Sequence, residues 1–454
     1  MKRAVVIGAG LGGLETGLLL ARSGYTVTVL EQQARVGGCI QSFSRRGTLF
    51  DTGLHCVGGL EEGSLLRKRA EELGFMKLPW IRMAGEEVVI GSSSYFLPSG
   101  YDALGKALTE YFPASAEEIK KYCKGLSSID SRYPEWTSKS AYEYLCETIS
   151  NPLLRKVLSG TSLKLELSSE SLPLYVFARI NDSYIRSSWR LAAGGSALAE
   201  ALAMEILSEG GRVVTGFRVK SIDSSDGAVC GVTLDNGNSL PCELVVSSIH
   251  PTLTAGLAGA GLRKIYSKRI SGLSNTSGFF TVNIRLKEGS LKYLDRNVYI
   301  HSEEADLWNP RADRLESVMV SFGPSEEGTV PEYAGSIDLL TRTLPKDNSI
   351  AARKALAEEC IRFVSGRFPG LADMVEAFWT STPSTYEKFT SIPGGSAYGT
   401  IKDWRSPETT FLSSRTPLRG LFLAGGNPGL HGVFGVTMTS YRTLDEILSS
   451  ENNI

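Results

Sequence analysis

The sequence has no close pair of cysteines, no excess of charge of either sign and no long run of apolar residues. Its seven cysteines stand at 39, 56, 123, 146, 230, 242 and 360, without C-x-x-C spacing or a histidine at zinc-ligand distance. This excludes a disulfide framework and a zinc module, gives no metal to expect, and fits a reducing compartment. Lysine and arginine number 48 against 49 acidic residues, a formal net charge of -1. With no basic field to follow a phosphate backbone, nucleic acid is not an expected partner. The windows 244–262 and 420–441 carry little charge, but Ser247, Ser248, His250 and Pro251 interrupt one, and Asn427, Pro428 and His431 the other. Neither is a continuous apolar stretch of about 20 residues, so no transmembrane helix is expected. Lys2 and Arg3 before Ala4 to Ile7 imitate the start of a signal peptide, yet the apolar run stops at Gly8 and Glu15 follows. A cytoplasmic protein is the expectation.

Glycine is what the chain has in excess: 48 of 454 residues, without a collagen period, which implies many turns and close backbone approaches. The length corresponds to about three domain-equivalents. Arg3 to Ile7 reads as a buried strand, Leu14 to Ser23 as a helix and Tyr25 to Leu30 as a β-branched strand, a βαβ unit. Between the first strand and the helix, Gly8, Gly10 and Gly13 satisfy G-x-G-x-x-G, and Glu31 ends the second strand. The first glycine permits the tight turn, the second lets backbone approach a pyrophosphate, and the third lets the helix pack on the strand. The pyrophosphate would meet free N–H groups at the positive end of the helix, and the Glu31 carboxylate would accept bonds from the adenosine ribose. A second glycine pair, Gly37-Gly38, and the segment Phe50 to His55 with Gly53 would add backbone contacts that a long flavin needs and a nicotinamide does not. FAD is therefore the expected cofactor.

Further strands and helices are expected at Leu198 to Ser208, Arg212 to Thr215, Arg218 to Ile222 and Glu243 to Ile249, with a hairpin turn at Asp235-Asn236-Gly237. Gly420 to Gly426 reads as a strand opening onto a helix from about Val436. These pieces resume the opening theme, so residues 1–75, 190–260 and 410–454 are expected to form a discontinuous FAD-binding domain. The stretches 76–189 and 261–409, with helices at Tyr101 to Tyr111 and Ala116 to Leu126 and strands at Phe279 to Leu286, Ser317 to Phe322 and Ser336 to Arg342, are expected to form one substrate domain. The fold class is then α/β, a Rossmann-like FAD-binding domain with an inserted α+β substrate domain.

The blocks Leu30-Glu31-Gln32, Gly37-Gly38-Cys39, Phe50 to His55, Gly58 and Glu62-Gly63, together with Gly395 to Gly399 and Gly420 to Gly435, carry a resemblance. The chain is similar to the flavin-dependent desaturase and isomerase group that includes phytoene desaturases, carotenoid isomerases and retinol saturases. The resemblance implies that Gly8, Gly10, Gly12 and Gly13 bind the pyrophosphate, Glu31 the ribose, and Gly37 and Gly38 the middle of FAD. It implies that Val219 meets the adenine through its backbone, although a plain strand valine reads equally well. Gly425, Gly426, Gly435 and Val436 would approach the ribityl chain and the flavin ring. Cys39 stands where many relatives carry a basic residue, and the closing Gly-Gly-Asn-Pro-Gly-Leu-His differs from the desaturase versions, so the direction of hydrogen transfer stays open.

His55 and His431 fall inside the flavin-facing motifs and are the catalytic candidates, since imidazole titrates nearest neutrality. The plain alternative is a structural histidine in each case, because the flavin itself carries the hydride. His250 and His301 receive no role. The expected activity is hydride transfer to or from a carbon–carbon bond of a long apolar isoprenoid or polyene substrate. Two other readings share the cofactor pieces: a flavin amine oxidase or protoporphyrinogen-oxidase-like enzyme, and a non-catalytic flavin-binding protein. Such a substrate would be drawn from a bilayer, and the aromatic stretch Tyr133 to Tyr144, with Trp136, is the candidate for peripheral membrane contact. Nothing in the sequence speaks to oligomeric state.

Overall fold

Val5, Val6, Val27 and Val29 place β-branched side chains on both faces of two short strands, β1 (Arg3–Ile7) and β2 (Thr26–Glu31), which pair in parallel. Burial on both faces is the signature of a parallel sheet covered by helices. The computed structural model describes residues 2–324 and 329–451. Helix α1 (Leu11–Arg22) crosses between the strands, and Gly24, at φ +86°, reverses the chain behind it. The helix starts at Leu11 rather than Leu14 because the glycine-rich segment is itself its first turn. The complete sheet has five parallel strands in the order Arg212–Thr215, β2, β1, Leu244–Ser247, Leu421–Leu423. Val246 and Val29 flank Val6 in register.

The chain leaves this sheet after β2, returns at Arg212, and leaves again before Leu421. The excursions build a second, mixed sheet of seven strands: Val375–Ser381, Phe280–Leu286, Ser336–Thr341, Ser317–Phe322, Arg296–His301, Gly85–Ile90 and Ser93–Pro98 in spatial order. One face, with Val282, Ile284, Val298, Val320 and Leu339, packs under Leu356, Cys360 and Val364 of the helix Ile350–Val364. The architecture is α/β, a Rossmann-like domain with an inserted α+β domain. Asp235 to Gly237 turns a hairpin between Ala228–Leu234 and Ser239–Pro241, with Gly237 at φ +86°. The last helix, Gly432–Glu451, begins four residues before Val436.

The aromatic stretch is corrected by the structure. Trp136 is 5% exposed, packs on Tyr144 at 5.5 Å between ring centroids, and belongs to the core of the helical layer. Its apolar neighbours Leu126, Leu145 and Leu174 bury it, so Trp136 is no membrane anchor; Tyr133 and Tyr142 are the exposed rings of that stretch. Among the described residues no helix is long and apolar enough to cross a membrane, and no cluster of side chains is placed to hold a metal ion. All seven cysteines are free.

Candidate active site

A cavity of about 620 Å³ runs between the C-terminal end of the parallel sheet and one face of the seven-stranded sheet. Clefts of this size beyond the carboxyl ends of α/β strands are where such folds place ligands. Its nucleotide end is built from backbone. The first turn of α1 has no side-chain cap, so its N–H groups remain available to an anion. A side chain at Gly10 would meet nothing within 4 Å, whereas one at Gly13 would stand 1.9 Å from the Gly8 carbonyl oxygen and one at Gly12 2.6 Å from Gly425 Cα. Gly10 therefore keeps a path open, while Gly12 and Gly13 let backbone segments touch. The Gly37 N–H donates to the Ala9 carbonyl at 2.7 Å and holds the second glycine loop against the first. Gly37 does so at φ +119°, a conformation closed to ordinary residues.

Glu31 reaches back into this end, accepting the Ala9 N–H on Oε2 at 2.8 Å and the Gln33 N–H on Oε1 at 2.9 Å. Each oxygen keeps a lone pair for a ribose hydroxyl. Gly8, Gly38, Gly53, Val219, Gly425, Gly426 and Val436 also line the cavity. Gly13 and Gly435 do not: a Cβ at Gly435 would lie 2.4 Å from the Leu430 carbonyl oxygen, so both serve packing. The cradle fits an extended dinucleotide: uncapped N–H groups, an open Gly10 and an acid at the end of the second strand coincide on one wall.

The other end is made of side chains. Tyr299, Met319 and Leu340 on the seven-stranded sheet, with Phe279 just before its Phe280–Leu286 strand, join Leu163 and Tyr398 in an apolar wall. Both candidate histidines open onto it, 376 residues apart in sequence. His431 is fixed: its Nε2 lies 3.1 Å from the Lys164 carbonyl oxygen and its ring is 4.2 Å from that of Tyr398. His55 is freer. Its Nδ1 lies 3.8 Å from Asp338 Oδ2, and its buried Nε2 has no hydrogen-bond partner. Burial pushes both imidazoles down to about 4, with the Arg190 charge adding to the effect at His55.

Several buried polar groups behind the wall carry no local sequence signal. Lys164 pairs with Glu86, which also accepts from the Tyr299 hydroxyl at 2.9 Å. Asp51 accepts the Gly195 N–H at 2.8 Å and the Ser42 hydroxyl at 2.7 Å, tying the start of the helix Gly195–Ser208 to the Phe50 to His55 segment. Glu15 on α1 accepts Thr437 Oγ1 at 2.7 Å and Ser440 Oγ at 3.0 Å from the last helix, and burial pushes its carboxyl up to about 8. Lys402 is buried against the Thr410 carbonyl at 3.0 Å, the Asn427 carbonyl and the Thr400 hydroxyl, and burial brings it down to about 7. Lys402 thus clamps the loop that carries Gly425 and Gly426. Asn283 stands between Val282 and Ile284 in the Phe280–Leu286 strand, but Thr281 and Arg285 alternate with it as in any two-faced strand, so it carries no distinctive signal.

Comparison with known proteins agrees with this geometry. Residues 11–267 match the family described as flavin containing amine oxidoreductase. All-trans-retinol 13,14-reductase of Homo sapiens is 25% identical over 95% of this chain and 83% of its own length. The 4,4'-diapolycopene oxygenase of a Methylomonas species is 22% identical over 99% of this chain and 98% of its own. A putrescine oxidase structure with bound putrescine superposes with a TM-score of 0.71 at 15% identity, over 99% of both chains. With its cofactor cradle on one wall and its family match covering more than half the sequence, this chain belongs to the flavin-containing amine oxidoreductase family and is an FAD-dependent oxidoreductase.

Proposed function

We propose that the protein moves hydride and proton to or from a carbon–carbon bond of a long apolar polyene or isoprenoid, in the manner named for its retinol-reducing and carotenoid-oxidising relatives. The observation that carries this reading is the charge of the cavity lining. Glu31 is its one carboxylate among the described residues, and that group belongs to the nucleotide end. An ammonium substrate would be met by a carboxylate, where this end of the cavity offers Leu163, Phe279, Met319 and Leu340 and no acidic side chain. A polyene needs dispersion contacts and the exclusion of water, which that wall supplies.

The glycines and Glu31, Val219 and Val436 on the cavity wall hold FAD in this proposal, and FAD supplies hydride chemistry when bound. His55 faces the reacting carbon with a free nitrogen, while His431 shapes the wall by stacking on Tyr398. In this reading residues 1–75, 190–260 and 410–454 form the cofactor domain, and residues 76–189 and 261–409 form the substrate domain.

The test is an anaerobic half-reaction screen on the FAD-loaded protein. A polyene or retinoid should oxidise or reduce the flavin within seconds, seen as a change in the visible spectrum. Rapid peroxide release with simple amines, and none with polyenes, would replace this reading by the amine oxidase one. A flavin that exchanges with neither would leave a binding protein. Vesicle co-sedimentation of the native protein beside Tyr133→Ser addresses membrane contact at the exposed rings.

A further inference from the structure

On the cavity side of the seven-stranded sheet, one row of residues is polar across the five central strands, ending at Trp379 and Leu97 on the two edge strands. Asn283, Asp338 and Ser321 are direct cross-strand partners, and Asn297 and Glu86 are partners on the two strands beyond. Each is at least nine-tenths buried. Two positions along the same strands, and so on the same face, stand Leu340, Met319 and Tyr299 of the apolar wall. The polar row therefore lies about 7 Å along the strands from the wall, and none of its five residues lines the cavity.

Most of the row is held by fixed partners. Arg190 donates to Asn297 at 2.9 Å, Lys164 pairs with Glu86, and Asn283 donates to Asp338 Oδ1 at 2.6 Å. Asp338 turns its other oxygen toward His55 Nδ1, and the opposite nitrogen of that ring, Nε2, is buried without a hydrogen-bond partner on a residue that lines the cavity. The 3.8 Å separation is longer than a hydrogen bond, and contacts of this kind commonly close when substrate arrives. Facing the pair are Asp51 from the strand Thr48–Asp51, Arg190 from the strand Ser188–Leu191, Asn283 and Ser321 from the neighbouring strands, and Tyr386 from the helix Pro383–Thr390.

We propose that Asp338 is the proton store of the active site, a positioning residue that exchanges its proton with the reacting carbon through His55. The inference rests on the proposed carbon–carbon redox reaction. With bound reduced FAD as the source of hydride for one carbon, hydrogen addition would break the Nε2–H bond of His55 to protonate the other. Nδ1 takes the Asp338 proton, so the imidazole ends neutral in its other tautomer and Asp338 ends as carboxylate. Hydrogen removal is the same sequence reversed. Burial, with the Asp51 charge adding to it, pushes the Asp338 carboxyl up to about 8, so the store is full at neutral pH.

The test uses the FAD-loaded enzyme labelled with 15N in histidine, with the His55 signals assigned through His55→Gln. Below pH 8 His55 should carry its proton on Nε2; above it, on Nδ1, facing the Asp338 carboxylate. Asp338→Asn should abolish the switch and Asp338→Glu should restore it. One tautomer throughout in native enzyme, or a switch that survives in Asp338→Asn, overturns the proposal. In the polyene half-reaction, Asp338→Asn should be at least tenfold slower with an unchanged visible spectrum and FAD content; an unchanged rate also overturns it. If native enzyme exchanges with no polyene, the functional reading fails, and the tautomer experiment still decides the coupling of Asp338 to His55.

Discussion

The two ends of the cavity are made by different means. The nucleotide end is shaped by the absence of side chains: Gly10 leaves a path open, Gly12 and Gly13 let backbone meet backbone, and Glu31 is oriented by two main-chain N–H groups. The substrate end is shaped by their presence, since cross-strand register sets an apolar row beside a polar one on the same face. Backbone recognition tolerates no added atom but requires nothing of distant chain. A side-chain surface assembled from three strands and the segments beside them can change one residue at a time, so the cofactor end should fail abruptly under substitution and the substrate end by degrees.

The widest separation between the ends is expected from Gly13→Val. Its branched carbon would overlap the Gly8 carbonyl, which demands a backbone shift and costs about 3 kcal/mol or more. Expression should yield little folded protein and no yellow colour, and a normal visible spectrum would show that α1 can move away. Leu340→Asn should instead give a fully flavinylated protein whose polyene half-reaction is slowed about a hundredfold, because an amide is left without partners in an apolar wall. Loss of FAD in that variant would mean that the two ends are not independent.

Gly10→Ala sharpens the contrast within the cofactor end. The new methyl meets nothing within 4 Å, so the melting temperature of the apoprotein should not move. FAD affinity, measured by fluorescence titration, should fall about tenfold, or ~1.4 kcal/mol. Equal affinity would place the pyrophosphate elsewhere. The smallest effect concerns Glu15 between the first and last helices. Its folded pKa of about 8 lies above the ordinary 4.5, so the native chain holds a proton that the unfolded chain has released. That contribution to stability is complete below pH 4.5 and is lost as pH rises to 8. Glu15→Gln should therefore melt a few degrees above native protein at pH 8, with the gap shrinking toward pH 5. A constant gap would show that Glu15 does not titrate in this window.

The helices Tyr101–Tyr111 and Ala116–Ser127 and the strands Arg212–Thr215 and Ser317–Phe322 agree with their expected positions within a residue, because amphipathic or β-branched patterning is a local property. Trp136 departs from expectation because an aromatic side chain reads the same whether it faces lipid or Leu145. His55 and His431 were both visible as motif residues, but sequence could not rank them. The structure distinguishes their surroundings: the Lys164 carbonyl occupies Nε2 of His431, while Nε2 of His55 has no partner, and the proposed ranking rests on that difference.

The cofactor end was readable from sequence alone because its determinants lie within about thirty residues and act through backbone conformation: a glycine turn, a helix start and an acid one strand later. Tertiary structure alone placed Asp338 behind His55, 283 residues away, and Glu86 beside Lys164. Neither pairing has a local signal, since a carboxylate in a strand takes its role from whichever residue strand order and register bring opposite it, and those are settled only when the sheet has formed.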